Sequence, residues 1–168
     1  MAKEKETCSV CRQPKATIRC GSCEDPLCKS CEHFLEPDSF SFLEPVPKEL
    51  QLIHYCPACY EEKVEPARES YERTMAAAKE VNIFFLADRN VPQLLKKSQA
   101  AIHVKDCRDR DETILRLGFK AAELGFNSVV KVDVVAKQIR NLAYQTSAWQ
   151  GTGIPADIDE AKFSRFRG

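Results

Sequence analysis

The sequence predicts an α+β protein built as a two-zinc module, a linking helix and a small sheet domain with one main helix. Three observations carry this. Eight of the nine cysteines form four CxxC pairs within the first 59 residues. Beyond Cys59 the apolar spacing becomes helical, and beyond residue 81 alternating stretches flank a single capped amphipathic segment.

The pairs are Cys8/Cys11, Cys20/Cys23, Cys28/Cys31 and Cys56/Cys59, separated by eight, four and twenty-four residues. A CxxC turn brings two thiolates to one ion, and structural zinc takes four nitrogen or sulfur ligands in a closed tetrahedron. Four pairs therefore imply two Zn2+ sites of four thiolates each. Such short loops leave little room for an apolar core, so metal is expected to supply what burial cannot. A disulfide framework would need an oxidising compartment, and the opening MetAlaLysGluLysGluThr carries no apolar run resembling a signal peptide. The expected location is cytoplasmic. Spacing alone leaves two ligand assignments open, with sequential pairs sharing an ion or alternate pairs doing so.

CysSerValCys, CysGlySerCys, a four-residue gap, CysLysSerCys and TyrCysProAlaCysTyrGluGlu resemble the FYVE type of cross-brace zinc finger over residues 8 to 62. The resemblance implies one site of Cys8, Cys11, Cys28 and Cys31 and another of Cys20, Cys23, Cys56 and Cys59. It stops where that family binds phosphoinositides. In place of the basic, histidine-rich run before the third cysteine stands ThrIleArgCysGly, and the only Trp of the chain is Trp149. A single Arg19 does not replace a cluster of donors around a phosphate. The first six cysteines also resemble a B-box and CysProAlaCys the last pair of a RING, whose CysxHisxxCys centre is absent.

Lys and Arg together number 25, as do Asp and Glu, so no net charge steers the chain to nucleic acid or an anionic membrane. No stretch approaches the roughly 20 apolar residues that span a bilayer. Between Cys31 and Cys56 a Pro- and Phe-rich segment reads as a loop or short strand over the second site. His33 and His54 flank the later pairs as ordinary loop histidines, since eight thiolates already complete two tetrahedra.

The spacing of Ala67, Tyr71, Met75 and Ala78 predicts a helix over 65 to 80, opened by Pro66. Residues 82 to 87 form an expected strand; ValProGlnLeuLeuLysLysSer stays unassigned. Ile102 and Val104 alternate with His103 and Lys105, a half-buried strand. Asp109 with Glu112 resembles a capping box, so a helix starts there, burying Ile114, Leu117, Gly118, Ala121 and Ala122 and stopping at Gly125. Asn127 to Lys137 alternates as a strand with Val130, Val132 and Val134 inward. AsnLeuAla turns, and Tyr144 to Thr152 is the final strand. The expected divisions are residues 1 to 62, 63 to 81, 82 to 156, and a mobile tail at 157 to 168.

Residues 120 to 133 and the later TrpGlnGlyThrGly resemble the helix-to-strand junction and closing strand of small bacterial YbjQ-like domains, over about residues 81 to 153. This implies the fold and self-association. The family's heavy-metal label has no counterpart here, because that half offers no Cys or His pair.

No catalytic constellation is visible. CxxC as a redox pair occurs once, opening a helix in a thioredoxin-like unit. Cys107 is the unpaired thiol, beside Arg108 and near Arg110, and reads as a packed strand-end residue. Asp106, Asp109 and Asp111 read as a loop and a helix cap. The expected function is a non-enzymatic, zinc-binding interaction or scaffolding protein with an unknown protein partner, forming a homo-oligomer and binding neither nucleic acid nor, strongly, membrane. The rivals are a thiol-dependent enzyme or redox sensor using Cys107 or a labile CxxC pair, and a phosphoinositide-binding adapter.

Overall fold

The computed structural model describes residues 6–165, a mixed α/β chain of two compact units that divide between Glu72 and Arg73. The division falls inside helix α2, Glu65–Glu80.

The N-terminal unit holds two small antiparallel ladders. β1 (Ile18–Arg19) pairs with β2 (Pro26–Leu27), and β3 (His33–Phe34) with β4 (His54–Tyr55). A 3-10 turn at Lys48–Leu50 precedes β4. After it come a short helical turn, α1 (Pro57–Cys59), a π-helical stretch at Tyr60–Val64, and α2. Pro57 stands in the first turn of α1, where a missing N–H costs nothing.

The expectation that the short loops leave little room for an apolar core is corrected. Leu35, Phe40, Leu50, Tyr55, Tyr60 and Val64 form a buried cluster, with Ala67 and Tyr71 of α2 against it. The Pro- and Phe-rich loop supplies half of it: Phe40 meets Tyr71 edge to face at 5.3 Å, and the Phe42 N–H donates to the Tyr71 hydroxyl. A loop contributes core residues without any period, so pattern reading passes over them.

The C-terminal unit is a five-stranded mixed sheet. β5 (Asn82–Phe85) runs parallel to β8 (Ser128–Asn141), and β8 forms a long hairpin with β9 (Tyr144–Ile158). Both β6 (Leu94–Lys97) and β7 (Ile102–Cys107) pair with the other edge of β9. The segment left unassigned thus contains β6. The final strand runs six residues past Thr152, and helix α4 follows at Glu160–Arg165, so a tail beginning at 157 is corrected; residues 166–168 lie outside the described residues.

Helix α3 (Arg110–Glu123) packs on one face of the sheet. The Asp109 side chain accepts from the Glu112 N–H at 2.7 Å, and the Glu112 carboxylate accepts from the Arg108 N–H at 2.9 Å. Gly125 ends the helix at φ +81°. Leu117, Gly118 and Ala121 are buried as expected, whereas Ile114 and Ala122 are half-buried and Thr113 and Phe119 are fully buried.

The inward set of β8 is also corrected. One extra residue lies between Val130 and Asp133 relative to β9, with Lys131 at φ 53°. This bulge flips the count of faces. Val129 and Val132 join Leu117 and Ala121 under α3, while Val130 packs with Phe84, Ala156 and Ile158. A matching bulge in β7, with Asp106 at φ 56°, returns Cys107 to the same core as Val104.

Two substitutions test this packing. A Cβ on Gly118 would lie 2.8 Å from the backbone oxygen of Ala78, so Gly118→Ala should cost about 1 to 3 kcal/mol in chemical denaturation. Leu142, in the β8–β9 turn, is fully exposed at φ 53°, a conformation that costs a side chain roughly 1 to 2 kcal/mol, so Leu142→Gly should raise stability. A stabilised Gly118→Ala protein or a weakened Leu142→Gly protein would contradict the local geometry.

Candidate metal centre

The β1–β2 hairpin decides which thiols meet. Cys20 and Cys23 sit in its turn, where the Cys20 N–H donates to the Asp25 carbonyl and the Glu24 N–H to the Cys20 carbonyl, both at 2.9 Å. Cys8/Cys11 and Cys28/Cys31 emerge at its base. There the Ser9 N–H donates to the Pro26 carbonyl at 2.8 Å, and the Cys28 N–H to the Cys8 sulfur at 3.4 Å. The four-residue gap between Cys23 and Cys28 is the return arm of this hairpin. β4 delivers the last pair to the turn, since the Gly21 N–H donates to the His54 carbonyl at 2.8 Å.

Each of the first two knuckles is closed by a residue in the left-handed region, Arg12 at φ 60° and Glu24 at φ 65°. In both, the N–H of that residue donates to the carbonyl of the first cysteine, Arg12 to Cys8 and Glu24 to Cys20.

Two groups of sulfurs result, Cys8 with Cys11, Cys28 and Cys31, and Cys20 with Cys23, Cys56 and Cys59, each within 4.8 Å of one another. All nine cysteines are free thiols. The Cys11–Cys28 and Cys23–Cys56 sulfur separations are both 3.8 Å. Four sulfurs at about 2.3 Å from a central ion in a tetrahedron lie about 3.8 Å apart. The donor set and its spacing therefore fit zinc, and each group can hold one metal ion.

Ionisation within each group is uneven. The Cys11 N–H, chiefly, with those of Cys28 and Val10, brings the Cys8 thiol down to about 6 against the effect of burial. Burial opposes ionisation of Cys20 most strongly, yet N–H groups of Cys23, Cys56 and Ser22 bring it down to about 6. The Cys28 side chain, then burial and the Cys11 and Cys8 thiols, push Cys31 up to about 12. For Cys23 the Asp25 N–H lowers the value, but burial and the thiols of Cys20, Cys56 and Cys59 carry it up to about 12. Four adjacent negative charges are not sustained without a cation among them, and a divalent ion supplies that cation.

The flanking histidines do not join the groups. His33 stacks on Tyr60 at 4.6 Å, and His54 Nδ1 pairs with Glu32 at 2.5 Å. Arg19 forks onto both Glu6 oxygens at 2.7 and 2.8 Å and donates to the Glu24 carbonyl. Cys107 is buried in the α3 core, its thiol directed at the Lys105 carbonyl at 3.6 Å. Asp109 is spent on the helix cap, and among the described residues the two cysteine quartets are the only such metal-competent groups. No described helix is long and apolar enough to cross a membrane. No family model, no curated protein and no solved structure matches the chain.

Metal uptake at pH 7 should release protons, because Cys23 and Cys31 hold theirs until an ion displaces them. Affinity should therefore rise with pH, and its fall on acidification should steepen below about pH 6, where Cys8 and Cys20 also protonate. Competition with a chromogenic chelator at several pH values measures this. Affinity that is flat or increases toward acid pH would contradict thiolate ligation.

Proposed function

We propose that this chain is a non-enzymatic, cytoplasmic interaction or scaffolding protein, with a cross-brace module of the FYVE type holding two structural zinc ions and a YbjQ-like C-terminal unit that self-associates. The observation that carries the reading is the interleaving of the quartets, pair one with pair three and pair two with pair four. Four sulfurs close a tetrahedron and leave no position for a bound water, the arrangement of structural rather than catalytic zinc. Support against headgroup binding comes from Arg19, whose guanidinium fork is already occupied by Glu6.

Support for self-association comes from the far half of the β8–β9 hairpin. Beyond Val132, the last partner of β5, and Trp149, the last partner of β7, it continues as a two-stranded ribbon. Two strands alone are marginal in water. Val135, Ile139 and Tyr144 are exposed on one face of this ribbon, and a second copy of the chain would cover them.

Native mass spectrometry should find two zinc ions per wild-type chain and one in Cys20→Ser, with thiol labelling confined to Cys23, Cys56 and Cys59 among the ligand cysteines. Labelling of Cys8 and Cys11 in that variant would replace the cross-brace with sequential sites. In sedimentation, the Ile139→Lys/Tyr144→Lys variant should lose the oligomer while keeping both ions. A wild-type chain that is monomeric at every concentration would remove self-association from the reading.

A further inference from the structure

The two quartets differ in how well protein covers their sulfurs. In the first, Cys8 and Cys28 are buried and Cys11 and Cys31 half-buried. In the second, Cys20 and Cys56 are buried and Cys59 half-buried, but Cys23 is exposed, alone among the eight. Cys23 lies in the turn of the β1–β2 hairpin, whose strands are two residues each.

The chemistry around Cys23 is also distinct. Lys63 Nζ donates to Ser22 Oγ at 2.5 Å, which fixes an ammonium beside the knuckle that carries Cys23. A fixed cation beside a thiolate favours its attack on neutral electrophiles by offsetting negative charge that develops on the leaving oxygen.

From this exposure and this neighbouring cation we infer that Cys23 is a modification site for peroxides, through which the second metal centre opens before the first. The inference rests on the zinc reading above. In the reaction the Cys23 thiolate attacks one peroxide oxygen, the O–O bond breaks, and hydroxide leaves, giving a sulfenic acid. A second thiolate of the same quartet, all within 4.8 Å, attacks that sulfur and expels a second hydroxide. Two thiolates have then lost two electrons to a disulfide, the peroxide has become two hydroxides that take up protons as water, and the ion, left with two ligands, departs. The first quartet, without an exposed sulfur, keeps its ion.

The test uses the full chain loaded with two zinc ions and treated with one equivalent of hydrogen peroxide in the presence of a chromogenic chelator. One zinc per chain should leave in a distinct fast phase, and peptide mapping should place the new disulfide on Cys23, with Cys8, Cys11, Cys28 and Cys31 unmodified. Cys23→His preserves four donors in a Cys3His set, a known structural site, and should lose the fast phase while still binding two ions. Release of both ions at one rate, or first oxidation in the Cys8 quartet, overturns the inference and leaves the zinc reading standing. A purified chain that carries no zinc before peroxide is added overturns the reading beneath it.

Discussion

The hydrogen-bonded turn between β1 and β2 is the constraint on which the N-terminal unit depends. Without it, the first three CxxC pairs are near neighbours in a flexible chain and any two can meet. With it, the second pair is held at the turn, away from the first and third at the base, and two quartets separate. The β3–β4 ladder then has one task, to return the fourth pair to that turn, and its Gly21–His54 hydrogen bond fixes the arrival. Four elements of two residues each are too short to be stable by their own ladders. The apolar cluster includes Tyr55 of β4, and the second quartet includes Cys56, the residue that follows it, so both stabilise the same short strand.

The C-terminal unit depends on a different device, the paired bulges in β7 and β8. A strict alternation would place Val129 and Val132 on opposite faces, and likewise Val104 and Cys107. One inserted residue in each strand brings all four under α3. Gly118 lets the helix close on the Ala78 carbonyl. At the base of the sheet Asn127 substitutes for backbone: its side-chain amide donates to the Ile158 carbonyl at 3.0 Å, and its side-chain oxygen accepts from the Ile158 N–H at 2.9 Å. The Asn127 carbonyl accepts from the Asn82 N–H at 3.0 Å, so one residue ties the starts of β5 and β8 to the end of β9.

Much of this was legible because the signals are local. Helix α2 follows from its spacing, α3 from Asp109, Glu112 and Gly125, and the β8–β9 turn from AsnLeuAla. Cysteine spacing shows that two quartets exist. Which pairs combine was not legible from spacing, because it depends on the hairpin, whose strands are two residues long and carry no periodic pattern. Bulges escaped for a related reason: Lys131 and Asp106 are ordinary residues in sequence, and their left-handed backbone is imposed by the register of neighbouring strands. The core role of Phe40 and Leu50 depends on a long loop folding back, and β6 on an edge of β9 created later in the chain.

Substituting cadmium-113 into both sites and recording correlations from each metal resonance to cysteine β-protons reads the ligand sets without mutation. The interleaved arrangement requires two resonances, one coupled to Cys8, Cys11, Cys28 and Cys31 and the other to Cys20, Cys23, Cys56 and Cys59. A resonance coupled to both Cys8 and Cys20 would contradict it.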